Sequence, residues 1–224
     1  TPTWWATGTA DAESDGAVVQ NNSWGYSDDR KNGSTLSSTI SDLITYQSNN
    51  STTAAATLVA YQSIDTDGDG TNDVALSATE ANWNTYIDAL DSFQDTGVIV
   101  FALSNQDYHA DADIAAGLPE IATELQEAWI NVANIDVTGT GAPADNGYEL
   151  RSAPCGSTAE YCLGADGWNI LGAGGNEYSV GGYDYSVSIG TSYAAPQVSG
   201  AVALLATHFP NHSPEQLALS LIHI

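Results

Sequence analysis

The sequence has no methionine and only three basic residues, Arg30, Lys31 and Arg151, against 28 acidic residues. The formal net charge of −25 produces a field that repels phosphate groups and anionic membrane surfaces. We therefore expect neither nucleic acid nor a membrane as a partner of this segment. No apolar run reaches the roughly 18 residues that a membrane-spanning helix needs. The acidic composition suits a protein that is secreted or displayed at the cell surface.

Cysteine is also scarce, since Cys155 and Cys162 are the only two. Neither belongs to a Cys-x-x-Cys pair or a histidine cluster, so a disulfide that closes a short loop explains them better than a metal site. A disulfide implies an oxidising compartment. The chain begins Thr-Pro-Thr-Trp-Trp-Ala, without a signal-like segment, and residues 219–224 stop within a helical pattern. We interpret it as an internal fragment of a longer protein.

Alternating apolar and amphipathic segments predict the fold class. The continuous apolar run at 98–103 is typical of a buried parallel strand, and residues 17–25 and 129–135 have a similar character. A capping box formed by Ser77 and Glu80 predicts a helix that ends near residue 94. This alternation indicates an α/β protein in which helices sandwich a parallel sheet. We further predict helices at 36–46, 118–127, 192–208 and from 215 onward, and a strand at 59–64.

The most informative segment is 190–200, which reads Gly-Thr-Ser-Tyr-Ala-Ala-Pro-Gln-Val-Ser-Gly before an apolar helical run. A serine in the first turn of a helix lies where unpaired backbone N–H groups favour negative charge. The segment closely resembles the nucleophile motif of subtilisin-like serine proteases, with Ser192 at the nucleophile position. The alternative is that Ser192 only caps a core helix, which is a common role of serine.

The resemblance extends over residues 17–25, 98–135 and 160–217, in the order typical of the subtilisin-like family. It implies that Asn105, at the end of the strand 98–102, donates a hydrogen bond to the oxyanion. Ser104 stands where the family usually has glycine. Residues 162–167 resemble the family's strand before the nucleophile segment, and Asp166 stands where the family usually has proline. The resemblance also implies two stretches that flank the pocket for the residue before the scissile bond and dock an extended peptide. These substrate-binding residues are Ser23, Trp24, Gly25, Ala102, Leu103 and Ser104.

The resemblance is strongest to the secreted bacterial branch that includes autotransporter proteases, where a cysteine pair near Cys155 and Cys162 also occurs. It implies that residues 1–224 are the C-terminal portion of one catalytic domain. The stretch between Gly25 and Val98 is longer than a minimal member needs, so we expect an acidic insertion at about 26–97.

The base and its orienting aspartate are absent from the expected context. In the family these residues lie N-terminal, in a strand motif and a His-Gly-Thr-His-like helix start. None of the four histidines here has that context. We therefore expect the missing N-terminal part of the domain to supply both groups, and this fragment alone to be inactive. The four histidines are His109, His208, His212 and His223.

An acidic loop at 65–73 places carboxylates at alternate positions, with Gly70 where a calcium loop turns sharply. The twelfth loop position is Leu76 instead of the usual glutamate, so one ligand is missing. The loop is either a structural calcium site or a solvated acidic turn. Catalysis itself needs no cofactor in this interpretation. The candidate calcium ligands are Asp65, Asp67, Asp69 and Asp73.

The sequence thus predicts a serine endopeptidase that hydrolyses polypeptide substrates by acyl-enzyme chemistry. An α/β-hydrolase esterase would need glycine where Ala194 stands. A related acid-acting branch has an aspartate at the oxyanion position, where this chain has Asn105. The remaining alternative is a catalytically inactive, calcium-stabilised surface or adhesion module on a protease scaffold.

Overall fold

A central sheet organises the molecule. The structure is a computed structural model that describes residues 1–25, 39–62, 78–137, 147–173 and 185–222. Four parallel strands lie in the order β1, β2, β3, β5, and the two-residue strand β4 pairs antiparallel with the end of β3. The strands are β1 Val19–Asn22, β2 Val98–Ala102, β3 Trp129–Asp136, β4 Glu149–Leu150 and β5 Cys162–Asp166.

The two faces of the sheet build two separate parts of the core. Side chains alternate across a strand, so Val98 and Val100 of β2 face one layer while Ile99 and Phe101 face the other. All five residues of β2 are buried, as its unbroken apolar run predicts. Helices α5 Thr191–His208 and α6 Pro214–Ile222 cover the first face.

The second face is covered by four helices and by aromatic packing. Phe101 and Trp129 from neighbouring strands stack at 4.9 Å between ring centroids. Trp24 continues the cluster, 5.5 Å from Phe101 and 4.6 Å from Trp5. The helices of this layer are α1 Pro2–Ser14, α2 Ile40–Asn50, α3 Ala54–Gln62 and α4 Glu80–Gln94.

Several predicted elements are confirmed, and three need correction. The predicted strand at 59–64 is wrong, because residues up to Gln62 belong to α3, where Ala55, Leu58 and Gln62 are buried at helical spacing. The predicted helix at 118–127 is two short 3₁₀ helices, Leu118–Glu120 and Thr123–Gln126.

The capping box of α4 also differs from the predicted one. Thr79, not Ser77, caps the helix: its side chain accepts from the backbone N–H of Asn82, whose side chain accepts from Thr79 in return. An asparagine thus takes the place expected for Glu80, and the helix begins one residue after Thr79.

A disulfide and a pair of antiparallel strands lie between β4 and α5. Strands β6 Ile170–Ala173 and β7 Tyr185–Ser188 pair antiparallel and lead into Gly190. Cys155 and Cys162 are joined in the predicted disulfide, with 5.9 Å between their Cα atoms. No helix in the described ranges is both long enough and apolar enough to cross a membrane.

Candidate active site

A cavity of about 220 Å³ opens at the carboxyl ends of β1 and β2, against the first turn of α5. This is the edge of a parallel sheet where ligands generally bind. All eight catalytic and substrate-binding residues predicted from the sequence line it: Ser23, Trp24, Gly25, Ala102, Leu103, Ser104, Asn105 and Ser192. Three further lining residues were not predicted: Gln106, Asp113 and Thr191.

Ser192 is the second residue of α5 and does not serve as its N-cap, which is Gly190. Its Oγ donates to the carbonyl of Ser23 at 3.3 Å, and the Ser23 hydroxyl donates back to the carbonyl of Ser192 at 3.2 Å. Gly190 has φ +145°, and a Cβ there would lie 3.0 Å from Oδ1 of Asn105. The turn therefore needs glycine both for its backbone and for the close approach of Asn105.

Asn105 is oriented by the neighbouring Thr191. Its Oδ1 accepts from the backbone N–H of Thr191 at 2.8 Å and lies 3.0 Å from the Thr191 hydroxyl, which is itself 2.6 Å from the carbonyl of Leu103. Because an N–H donor must meet the amide oxygen, these contacts fix which amide atom is Oδ1. The Nδ2 group remains available as a donor beside Ser192.

Ser104 uses its side chain within the local turn. Its Oγ accepts from the backbone N–H of Gln106 at 3.1 Å, and its carbonyl accepts from Ala153 at 2.9 Å. This is a local side-chain to backbone turn of the kind that serine commonly forms. Ser104 can therefore precede Asn105 without disturbing the contacts between Asn105 and Thr191.

Asp113 is the titratable residue among those that line the cavity, and its side chain is only 1% exposed. Its Oδ1 accepts from the backbone N–H groups of Ala115 and Ala116 at 3.0 and 3.3 Å. Oδ2 has no hydrogen-bond partner in the described part of the chain. Burial raises the pKa of Asp113 to about 6, although the nearby backbone N–H groups partly oppose the shift.

The loop that carries these residues is anchored by a second aspartate, Asp111. It accepts from the backbone N–H of Ser157 at 2.7 Å and from the hydroxyls of Ser41 and Ser157. Burial opposes ionisation, but these hydrogen bonds together with one from Ala112 outweigh it and lower the pKa of Asp111. A Cβ on Gly156, which has φ +54°, would overlap this carboxylate.

The profile of the Peptidase S8 or subtilase family matches residues 1–223 of this chain. The chain belongs to the subtilase family. Among its relatives are an extracellular serine protease of Serratia marcescens, 31% identical over 54% of this chain, and the neisserial autotransporter lipoprotein NalP of Neisseria meningitidis serogroup B, 29% identical over 56%. The chain spans 12% of the length of each of these two proteins.

Solved structures share the fold of this subtilase. The prenylagaramide maturation protease PagA is 18% identical with a TM-score of 0.56, over 99% of this chain and 56% of that one. Sphericase is 16% identical with a TM-score of 0.55, over 99% and 54% of the two chains. At these identities the likeness concerns the fold alone. It confirms the predicted subtilisin-like α/β class, with a sheet between helices.

None of the three histidines within the described ranges lines the cavity of this subtilase. His109 is buried in the loop after β2, with its ring edge-on to Tyr108 at 4.9 Å. His208 ends α5, 16 residues after Ser192, which corresponds to about 24 Å along a helix. His212 lies beyond it, and His223 falls outside the described residues.

The predicted calcium ligands fall outside the described residues as well. Asp65, Asp67, Asp69 and Asp73 all belong to the segment 63–77. In the part of the chain that the structure describes, no group of three His, Cys, Asp or Glu residues is arranged to hold a metal ion. The calcium site therefore stays a prediction from the sequence.

Asp113 and Thr191 are the two lining residues whose importance the sequence did not reveal. Thr191 belongs to the nucleophile segment, so its position next to Ser192 was a usable signal. Asp113 precedes the apolar stretch Ile114–Leu118, and an aspartate there is typical of a cap on a buried turn.

Proposed function

We propose that the protein containing this chain is a serine endopeptidase that cleaves polypeptides through an acyl-enzyme on Ser192. The observation that carries the proposal is the position of the Ser192 hydroxyl in the first turn of an 18-residue helix, beside the available amide of Asn105. Oγ would bond to the carbonyl carbon of the scissile peptide while its proton passes to a base. The carbonyl oxygen would become an oxyanion next to this amide. When the C=O bond forms again, the peptide C–N bond would break, the amine would leave with the proton held by the base, and water would later release the acyl group from Ser192.

Two donors are suited to that oxyanion. Oδ1 of Asn105 is held by Thr191, and Nδ2 forms no hydrogen bond with another described residue. The backbone N–H of Ser192 lies in the first turn of α5, where no intrahelical acceptor exists. Donors fixed before the reaction stabilise charge that develops only in the transition state, without reorganisation at that moment.

The substrate would bind as an extended segment between two stretches of backbone. Ser23 to Gly25 follow β1, and Ala102 to Ser104 end and follow β2, so both present backbone groups at the cavity. An added strand uses such groups for affinity and leaves alternate side chains to enter pockets. The cavity beside Ser192 would take the residue that precedes the scissile bond.

The base and its orienting aspartate are part of the proposal, not of the described site. We propose that sequence N-terminal to Thr1 supplies both, that residues 1–224 form the C-terminal portion of the domain, and that residues 26–97 are an insertion. The 224-residue chain alone should then show no proteolysis. We also propose that the protein acts outside the cell, that catalysis needs no cofactor, and that calcium, where bound, is structural.

A serine-reactive phosphonate probe tests the proposal on the full-length protein. Labelling is expected in the parent and absent in Ser192→Ala. Ser199→Ala is the matched control, because Ser199 lies on the same helix, makes its hydrogen bonds to Asn21 and Ala195, and does not line the cavity. Labelling that survives Ser192→Ala would refute the assignment. No labelling of a folded parent would favour an inactive surface module on a protease scaffold.

A further inference from the structure

The carboxylate of Asp113 is a feature of the cavity that acyl-transfer chemistry does not use. It is almost completely buried, and among the described residues only the N–H groups of Ala115 and Ala116 form hydrogen bonds of ordinary geometry with it, both to Oδ1. The backbone N–H of Ser104 is also close enough to lower the pKa of this carboxyl. Oδ2 lacks a hydrogen-bond partner among the described residues. Leaving a buried acceptor unpaired costs free energy, and a buried charge costs more, so such a group calls for a ligand.

The backbone around Asp113 holds this carboxylate at the cavity wall. Thr39 forms a β-bridge with Asp113, and the N–H of Ile40 donates to the carbonyl of Ala112 at 3.0 Å. On the facing side, a Cβ on Gly25 would lie 3.1 Å from Oδ1 and 3.4 Å from Oδ2 of Asp113. Both oxygens therefore face the stretch after β1 that lines the cavity, and Gly25 places no side chain between them and that stretch.

No Lys or Arg in the described part of the chain forms an ion pair with Asp113. Arg151 is the one Lys or Arg in the described ranges, and it pairs with Glu149 at 2.7 Å and Asp136 at 3.3 Å. Burial raises the pKa of Asp113 to about 6, so above that pH the carboxylate is a buried negative charge with which no described Lys or Arg pairs. A positive group on a bound substrate would supply the missing partner.

We propose that Asp113 makes the cavity select a lysine or arginine at the residue that precedes the scissile bond. The inference rests on the proposed function, because it places that residue in the cavity beside Ser192. A volume of about 220 Å³ lies below the roughly 300 Å³ at which pockets for drug-sized ligands begin, so it suits one side chain. An apolar side chain in the cavity would leave Oδ2 with neither water nor a hydrogen-bond partner, so a substrate with such a side chain would bind less favourably.

Peptides that differ only at this residue test the selection on the full-length protein. With Lys or Arg there, kcat/KM should exceed that of the Leu and Gln peptides by about 10²-fold or more, because a site built around a buried polar group discriminates strongly against ligands that do not pair with it. Asp113→Asn keeps the oxygen that caps Ala115 and Ala116. It should lower kcat/KM for the basic peptides about 10²-fold and leave the Leu peptide within about threefold.

Asp107→Asn is the matched control, because Asp107 is exposed, close in sequence, and not part of the cavity lining. This variant removes the same charge and should leave the order of the peptides unchanged. Equal loss on all peptides in Asp113→Asn would show that Asp113 only caps a turn and would overturn the proposal. A parent that treats Lys, Leu and Gln peptides alike would also overturn it.

A binding measurement separates failure of this inference from failure of the proposed function. Benzamidine, a small cation, should bind the full-length protein in titration calorimetry, while its neutral analogue benzamide and the Asp113→Asn variant should show no binding. If the phosphonate probe does not label Ser192 but benzamidine binds through Asp113, the cationic site stands and the peptidase function fails. If Ser192 is labelled but benzamidine does not bind, the selection fails and the peptidase function stands.

Discussion

Asn105 has two separate tasks, because its two amide atoms face different partners. Oδ1 holds the start of α5 through Thr191, and Nδ2 is the proposed donor to the oxyanion. Removing such a donor typically costs about 10²–10³ in turnover, since it acts on charge present only in the transition state. We expect Asn105→Ala in the full-length enzyme to lower kcat by that order while KM changes little, as steady-state kinetics would show.

Asn105→Asp separates the two tasks. Aspartate keeps an oxygen for the N–H of Thr191 but has no N–H to donate, so this variant should lose at least as much kcat as Asn105→Ala. A kcat within about threefold of the parent in both variants would show that Asn105 is only a turn residue. A loss of kcat in Asn105→Ala but not in Asn105→Asp would show that the contact between Asn105 and Thr191 matters, and not the proposed donor Nδ2.

Asp113 should make the free energy of unfolding depend on pH, and Asp113→Asn should remove that contribution. Its folded pKa, about 6, is raised from 3.8. Between these values the folded state binds more protons than the unfolded state, so the contribution of Asp113 to stability is present below about pH 4 and is lost as pH rises through 6. The shift corresponds to about 3 kcal/mol. In urea unfolding, the free energy of unfolding of Asp113→Asn should therefore rise relative to that of the parent between pH 4 and pH 7. A difference between the two proteins that does not change with pH would contradict this.

Some residues of the site were predictable from the sequence, whereas the roles of others depend on tertiary contacts. Ser192 lies in a motif of fixed spacing, and Asn105 ends a strand that resembles the corresponding strand of the family, so the resemblance predicted that they would line the same cavity. Asp107, Asp111 and Asp113 are alike in the sequence. In the structure Asp107 is exposed, Asp111 is held by serine hydroxyls, and Asp113 is buried with one oxygen that no described residue pairs with. These differences come from contacts with α2, the 3₁₀ helix Gly156–Tyr161 and the turn after Asp113, which spacing along the chain does not reveal.

Among the elements, β2 was predictable from its unbroken apolar run, and α5 from the motif 190–200 and the apolar run that follows it. α3 was not, since Leu58 to Tyr61 contain the β-branched and aromatic residues that favour strands. Tertiary packing decides the outcome, because helix α3 buries Ala55 and Leu58 in the same core cluster as Trp83 of α4. The helix α1 was missed because its apolar residues do not recur at a regular helical spacing.

Gln62, at the end of α3, ties this helix to the residue before the cap of α4. Its Oε1 accepts from the N–H of Ala78 and its Nε2 donates to the carbonyl of Ala78, both at 3.0 Å, in a buried position. Gln62→Ala would leave both backbone groups without partners. Since an unsatisfied buried group costs about 1–3 kcal/mol, we expect a loss in that range by urea unfolding. A loss below about 0.5 kcal/mol would mean that water replaces the side chain.

Over the whole molecule, the charge of −25 dominates the response to any cation. Self-repulsion of this size destabilises the compact state, and salt relieves it by screening. Calcium would therefore stabilise the protein to some degree even without a specific site. A test of the predicted loop must therefore compare the stabilisation by calcium with the stabilisation by another divalent ion, one that the loop is not expected to bind.

We propose that Asp65, Asp67, Asp69 and Asp73 bind calcium. Thermal unfolding in CaCl₂ should then give a higher Tm than in MgCl₂ at the same concentration, because a ligand that binds only the folded state stabilises it by mass action. Magnesium is the control, since it dehydrates reluctantly and seldom occupies all-protein cages. Replacing Asp67 and Asp69 together by alanine should remove the difference between the two salts while leaving the part due to screening. An equal Tm in both salts for the parent would identify the loop as a solvated acidic turn, and a difference that persists in the double variant would place the calcium elsewhere.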